Sequence, residues 1–137
     1  MSSETRAVEF HDSEVTGIRL DNRDVVVEII AYVHASQGRP GIDRGTGWSQ
    51  RAELIVEDAT VERSLDSNYL WITDGFLEVN SKRFNNLLPV PFGESGKINL
   101  KLSGAEGSLW LSGRRVRLLL TGTPTYVEDF PGAEKQD

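Results

Sequence analysis

The chain contains no cysteine. That absence excludes a disulfide framework, a thiolate nucleophile and any Cys-ligated zinc or iron–sulfur centre. Histidine is scarce, with only His11 and His34. No apolar run approaches the roughly 20 residues that a membrane-spanning helix needs. The opening Met1-Ser2-Ser3-Glu4-Thr5-Arg6 lacks the apolar core of a signal peptide, so the expectation is a cytoplasmic protein without membrane contact. No stretch repeats its apolar residues at the helical period, which argues against helices. There is neither a G-x-S-x-G nucleophile elbow nor a G-K-[ST] phosphate loop. No cofactor is expected.

What is present reads as strands. Asp24 to Ser36, D-V-V-V-E-I-I-A-Y-V-H-A-S, is the longest apolar run, and its β-branched residues suit a pleated, half-buried surface. Val25, Val27, Ile29, Ala31 and Val33 make one wholly apolar face, while Glu28, Tyr32 and His34 share the other with Val26 and Ile30. This is the pattern of a central antiparallel strand. Shorter strands are expected at Arg6 to Phe10 and at Val15 to Leu20, the second joined to the central strand by the turn Asp21-Asn22-Arg23-Asp24. Trp48 opens another, running to Ala59 or Val61. Leu70 to Val79 reads as a hairpin split at Asp74-Gly75. Asn80 to Phe92, with Pro89 and Pro91, reads as irregular or edge chain. Lys97–Leu102, Ser108–Leu111 and Arg114–Thr121, separated by Gly-containing turns, predict a three-stranded C-terminal meander. A short strand at 123–127 follows.

The expected fold is therefore all-β: an antiparallel β-sandwich or partly closed barrel of about seven to nine short strands. One domain is expected over residues 1–137, with a frayed start at 1–5 and a disordered acidic tail at 131–137.

The net charge of −6 opposes nonspecific nucleic-acid binding, which works by neutralising phosphates. The charge is uneven. Residues 1–74 carry 14 acids and 7 bases, residues 75–127 carry 3 acids and 7 bases, and residues 128–137 carry 4 acids and 1 base.

Five features could carry chemistry. Phe10-His11-Asp12-Ser13-Glu14 gathers an imidazole, two carboxylates and a hydroxyl, but neighbours on an extended chain point to opposite faces. His11 and Asp12 should then not act on one atom, and a turn or bulge is the plain alternative. His34 reads as a half-buried strand histidine, and with His11 and a carboxylate it would make a metal site only if their strands pass one another. Gln37 to Gly47 is a glycine-rich loop on which Arg39, Asp43, Arg44 and Trp48 would form a ligand lip. Lys97, Lys101, Arg115 and Arg117 fall on outward strand faces and predict a basic stripe, which would serve an acidic partner if acids from the first half do not neutralise it. Trp110, between Leu109 and Leu111, faces either a second core or solvent.

The stretch F-H-D-S-E-V-x-x-I-x-L, followed after a turn by an apolar strand, resembles the opening of small all-β bacterial families of unknown function, some of them similar to immunity proteins. That resemblance covers Phe10 to about Ile30 and implies a non-catalytic, protein-binding role with no active-site residues. Two functional readings follow. One is an interaction domain with a protein partner, with homodimerisation through a strand edge also open. The other is a small-ligand or carbohydrate-binding sandwich using the 38–47 loop and exposed aromatics. A third, enzymatic reading would use His11 with Asp12 or Glu14.

Overall fold

The structure is a computed structural model that describes residues 4–133. Its eleven strands are β1 (Thr5–Asp21), β2 (Asp24–Ser36), β3 (Gly45–Glu57), β4 (Thr60–Arg63), β5 (Leu70–Trp71), β6 (Asp74–Val79), β7 (Lys82–Asn85), β8 (Leu87–Val90), β9 (Phe92–Gly104), β10 (Gly107–Leu120) and β11 (Thr125–Phe130). No helix occurs among the described residues, and so none long and apolar enough to cross a membrane.

The strands form one antiparallel sheet in the order β5-β1-β2-β3-β10-β9-β6-β7. The sheet curls because its two ends meet. β8 follows β7 after the single residue Asn86 and pairs back on β1, with Val8 opposite Leu88. β5 pairs β1 while β6, three residues on, pairs β9. The fold is thus a partly open barrel, the second of the two architectures expected.

The apolar alternation read from the sequence lines its interior. Val25, Val27, Ile29, Ala31 and Val33 of β2 are all buried, as are Leu54 and Val56 of β3, Ile98, Leu100 and Leu102 of β9, and Leu109, Leu111, Val116 and Leu118 of β10. Burying each of the Val, Ile and Leu side chains among them contributes about 1.5–3 kcal/mol.

Several expectations are corrected. The strands number eleven because four short pieces, β4, β5, β7 and β8, add to the longer ones, and of these β5 and β8 close the barrel onto β1. The two strands expected over 6–20 are one 17-residue strand, interrupted by register shifts between Glu9 and Glu14 and between Val15 and Gly17. Asp74-Gly75 is not a hairpin turn: its flanks pair different neighbours, β1 and β9, so each apolar half finds a partner elsewhere. Of the two readings of Asn80 to Phe92 the edge one holds: the chain turns at Asn80 (φ 56°) into β7, the end strand of the sheet path, and β8, which among the described residues pairs only with β1. The meander is a two-stranded hairpin, because Ser112-Gly113 lies within the continuous β10, paired with Asn99 and Ile98, and the register shift comes only after it, between Gly113 and Arg115. Thr5, placed in the frayed start, already pairs with Ser36, while residues 1–3 of that start and 134–137 of the expected tail lie outside the described residues.

Candidate functional site

The longer register shift in β1, between Glu9 and Glu14, builds a polar cluster. Asp12 adopts φ 77°, the left-handed region that Asp tolerates better than most residues, and this swings its carboxylate to the same side as His11. His11 Nδ1 lies 3.3 Å from Asp12 Oδ1 and 3.8 Å from Glu9 Oε2. The expectation that His11 and Asp12 diverge is therefore overturned, because the bulge breaks the alternation on which it rested. Ligating atoms of Glu9, His11 and Asp12 all lie within 4.8 Å of one another, a spacing at which two carboxylates and an imidazole could hold a cation.

His34 joins from β2, since Ala7 pairs with His34 and Glu9 with Tyr32. Its Nε2 lies 2.7 Å from Glu9 Oε1. The two histidines thus meet on opposite oxygens of one carboxylate rather than around an open position. His34 is fully buried, not half-buried as expected: Tyr32 and Phe130 rings stand edge-on to it at 4.9 and 4.8 Å. The Tyr32 hydroxyl donates to Glu128 Oε2 at 2.5 Å, tying β11 to this face. Burial first, and then that hydrogen bond, push the Tyr32 phenol well above its ordinary value, so it remains a neutral donor.

Asn86 closes the cluster from the β7–β8 bend. Its Oδ1 accepts from the His11 N–H at 2.7 Å and its Nδ2 donates to Glu9 Oε2 at 3.2 Å. Burial by itself raises the Glu9 carboxyl, but hydrogen bonds from His34 and Asn86 and the nearby His34 and His11 rings outweigh it and hold it below the usual carboxylate value. A carboxyl lowered in the folded state stabilises the fold fully above its unfolded value and loses that contribution as pH falls through the folded one. Stability is therefore expected to decline on acidification below about pH 5. Glu9→Gln should flatten that decline, which urea midpoints measured across pH will show.

Two of the groups in this stretch, Ser13 and Glu14, are engaged elsewhere, while His11 and Asp12 remain half-exposed beside each other. Ser13 is buried, donates through Oγ to the Glu9 carbonyl at 2.6 Å and accepts from the Tyr32 N–H at 2.9 Å. Glu14 accepts from the Tyr69 hydroxyl at 2.7 Å and is not brought to His11. The cluster acts as a clamp joining β1, β2, β11 and the β7–β8 bend.

The loop lip is only partly assembled. Arg39 and Asp43 hold each other through two side-chain hydrogen bonds of 3.1 Å. Arg44 lines an open cavity of about 690 Å³ with Ser36, Asp129 and Phe130. Trp48 faces inward, packs against the core and donates its indole N–H to Thr46 Oγ1 at 2.8 Å. The basic stripe divides. Arg115 and Arg117 share Glu57 Oε2, at 3.6 and 3.0 Å, which is the neutralised alternative read from the sequence. Lys97 and Lys101 have no acid within ion-pair distance among the described residues.

Trp110 is exposed at 40% and opposes Lys101 on β9 and Arg63 on β4. Lys101 in turn opposes Phe76 of β6, and the Arg83 guanidinium stacks 3.7 Å from the Phe76 ring centroid. Arg63, Trp110, Lys101 and Phe76 therefore form one cross-strand row of alternating cations and rings. Sequence reasoning named Trp110 and Lys101 but missed Arg63, Phe76 and Arg83. Only the strand order β4-β10-β9-β6-β7 aligns them.

Comparison with protein-family models, with curated proteins and with solved structures finds no match for this chain.

Proposed function

We propose that this protein is a non-catalytic, cytoplasmic interaction domain of bacterial origin, immunity-like in type, that docks an acidic surface of a protein partner on the outer face of β4-β10-β9-β6-β7. The observation that carries this reading is the row Arg63–Trp110–Lys101–Phe76, where cations lacking acid partners alternate with aromatic surface. Aromatic and Arg side chains with apolar bodies and charged tips are the usual anchors of interfaces. Opposite charge on a partner would add steering and specificity. The overall charge of −6 favours an acidic protein patch over a polyphosphate chain, whose whole length the molecule would repel.

The test compares the wild-type chain with Trp110→Ala and Lys101→Glu as bait in lysate of the source organism. One stoichiometric protein is expected on the wild type, released by moderate salt. Trp110→Ala should weaken its binding about 30-fold, close to 2 kcal/mol. A retained species that is nucleic acid, or one that both variants hold equally well, would overturn the reading.

A further inference from the structure

We propose that the open mouth of the barrel, between β1, β2 and β3, is a separate binding site for a small hydroxylated aromatic carboxylate. The site exists because β3 changes partners along its length. Its Ala52–Glu57 half pairs with β10 and its Gly45–Ser49 half with β11, and the connecting chain 121–124 crosses at Arg51, whose carbonyl accepts from Thr121 and Gly122. Beneath that connection lies a cavity of about 220 Å³ lined by Arg6, Val33, Ala35, Trp48, Gln50 and Pro124. It is smaller than the roughly 300–1,000 Å³ of sites for drug-sized ligands, and so suits a single ring.

Each wall asks for a different group. Gln50 is 8% exposed, and its Nε2 donates to the Gly122 carbonyl at 2.5 Å. That bond fixes the amide orientation and leaves Oε1 buried with no partner. A buried acceptor left unpaired is unfavourable, and a ligand hydroxyl would satisfy it. Trp48 gives a flat wall whose setting is fixed by its bond to Thr46 and by the Tyr126 ring edge-on at 5.5 Å. Val33, Ala35 and Pro124 complete an apolar sleeve for a ring. Arg6 stands at the exposed rim, in register with Ala35, whereas Gln50 is in register with Ala31 deeper in the barrel. Arg6 has no acid within ion-pair distance among the described residues, so a carboxylate at the outer end of the ligand would meet a free guanidinium. Glu4 also borders the rim and disfavours a second negative charge.

The test is an NMR titration of the ¹⁵N-labelled full chain with 4-hydroxybenzoate, benzoate and methyl 4-hydroxybenzoate. The first probe offers both donor and charge, the second lacks the donor and the third lacks the charge. Saturable shifts are expected at the Trp48 indole, the Gln50 side-chain amide, Val33 and Ala35. Benzoate and the ester should each bind about tenfold more weakly than 4-hydroxybenzoate. Arg6→Ala, at an exposed position that leaves the fold intact, should weaken the acid about tenfold and leave the ester unchanged. Gln50→Leu, its own spectrum reporting its fold, should bind benzoate as well as 4-hydroxybenzoate. No saturable shift up to on the order of 10 mM, shifts confined to other regions, or an Arg6→Ala chain that treats acid and ester alike would overturn the proposal.

Discussion

Gly104→Ala is expected to destabilise the protein by about 3–4 kcal/mol, although it adds a single methyl group to the end of a strand. A Cβ at Gly104 would stand far inside contact distance of the Trp71 carbonyl oxygen and 3.0 Å from Leu70 Cδ1. The first of these obstacles is backbone and cannot rotate away. Relief requires β5 to lift off β9, and β5 is one of the pieces that close the barrel. The Thr73 N–H bonds the Ser103 carbonyl at 2.9 Å, and Ile72 exchanges backbone bonds with β1, to Ser13 at 3.0 Å and from Asp12 at 3.3 Å. Leu70 and Ile72 are both fully buried in the core. Displacement therefore strains or breaks several hydrogen bonds and withdraws apolar surface together. Urea unfolding should show the midpoint lowered by roughly 2–3 M at an unchanged slope. Gly93→Ala is the control: its Cβ would meet only Arg117 Cγ at 3.9 Å, and its effect should stay within about 0.5 kcal/mol. Equal behaviour of the two variants would mean that β5 does not close the barrel.

How much of this was legible beforehand follows from where the information resides. The alternation of Val25 to Val33, of Ile98 to Leu102 and of Val116 to Leu120 is local, and it places those faces inside without any knowledge of partners. Asp74-Gly75 misleads because the dipeptide matches a hairpin turn, while the flanks are taken by β1 and β9, partners distant in the chain on either side. Ser112-Gly113 misleads in the same way. A glycine can sit inside a strand, next to a register shift, as well as in a turn, and only the pairing of Gly113 with Ile98 distinguishes them. Within the candidate surfaces, the pairing of Arg115 and Arg117 with an acid of the first half was an open alternative in the sequence, and Glu57 realises it. The meeting of His11 and His34 at a carboxylate was open only on the condition that their strands pass one another, and that Glu9 and Asn86 complete it was not legible. It depends on a bulge in β1, on the β1–β2 register and on a bend some 75 residues downstream of His11. The bulge was the plain alternative read at His11-Asp12, but the register and the bend are not written in local composition.

That bend carries the other large effect. Asn86→Ala is expected to cost about 4 kcal/mol, comparable to emptying a core position, at a residue that sequence alone reads as part of an irregular segment. Asn86 sits at φ 66°, where Asn is tolerated and Ala is disfavoured by about 1–2 kcal/mol. Its backbone N–H bonds the Gly75 carbonyl at 3.0 Å and its carbonyl accepts from Phe10 at 2.7 Å, so the same residue turns the chain from β6 toward β1. Its side chain adds the bond from the His11 N–H and the bond to Glu9. Losing a neutral bond and one to a charged acceptor costs about 1 and 1.5–3 kcal/mol respectively. Asn86→Gly relieves the backbone term and should cost only about 2–3 kcal/mol. Asn86→Asp separates the remaining terms. It keeps an acceptor for His11 and tolerates the backbone angle, but it faces the Glu9 carboxylate where Nδ2 had donated at 3.2 Å. Two carboxylates so placed cannot both ionise without penalty, so one takes up a proton more readily than it does in the unfolded chain. A carboxyl raised in this way destabilises the fold at neutral pH and is relieved on acidification. The deficit of Asn86→Asp relative to wild type should therefore narrow between about pH 7 and pH 5, a trend that urea midpoints will resolve. A deficit independent of pH would mean that Asn86 does not reach Glu9, and that the clamp over the β1 bulge is held by His34 alone.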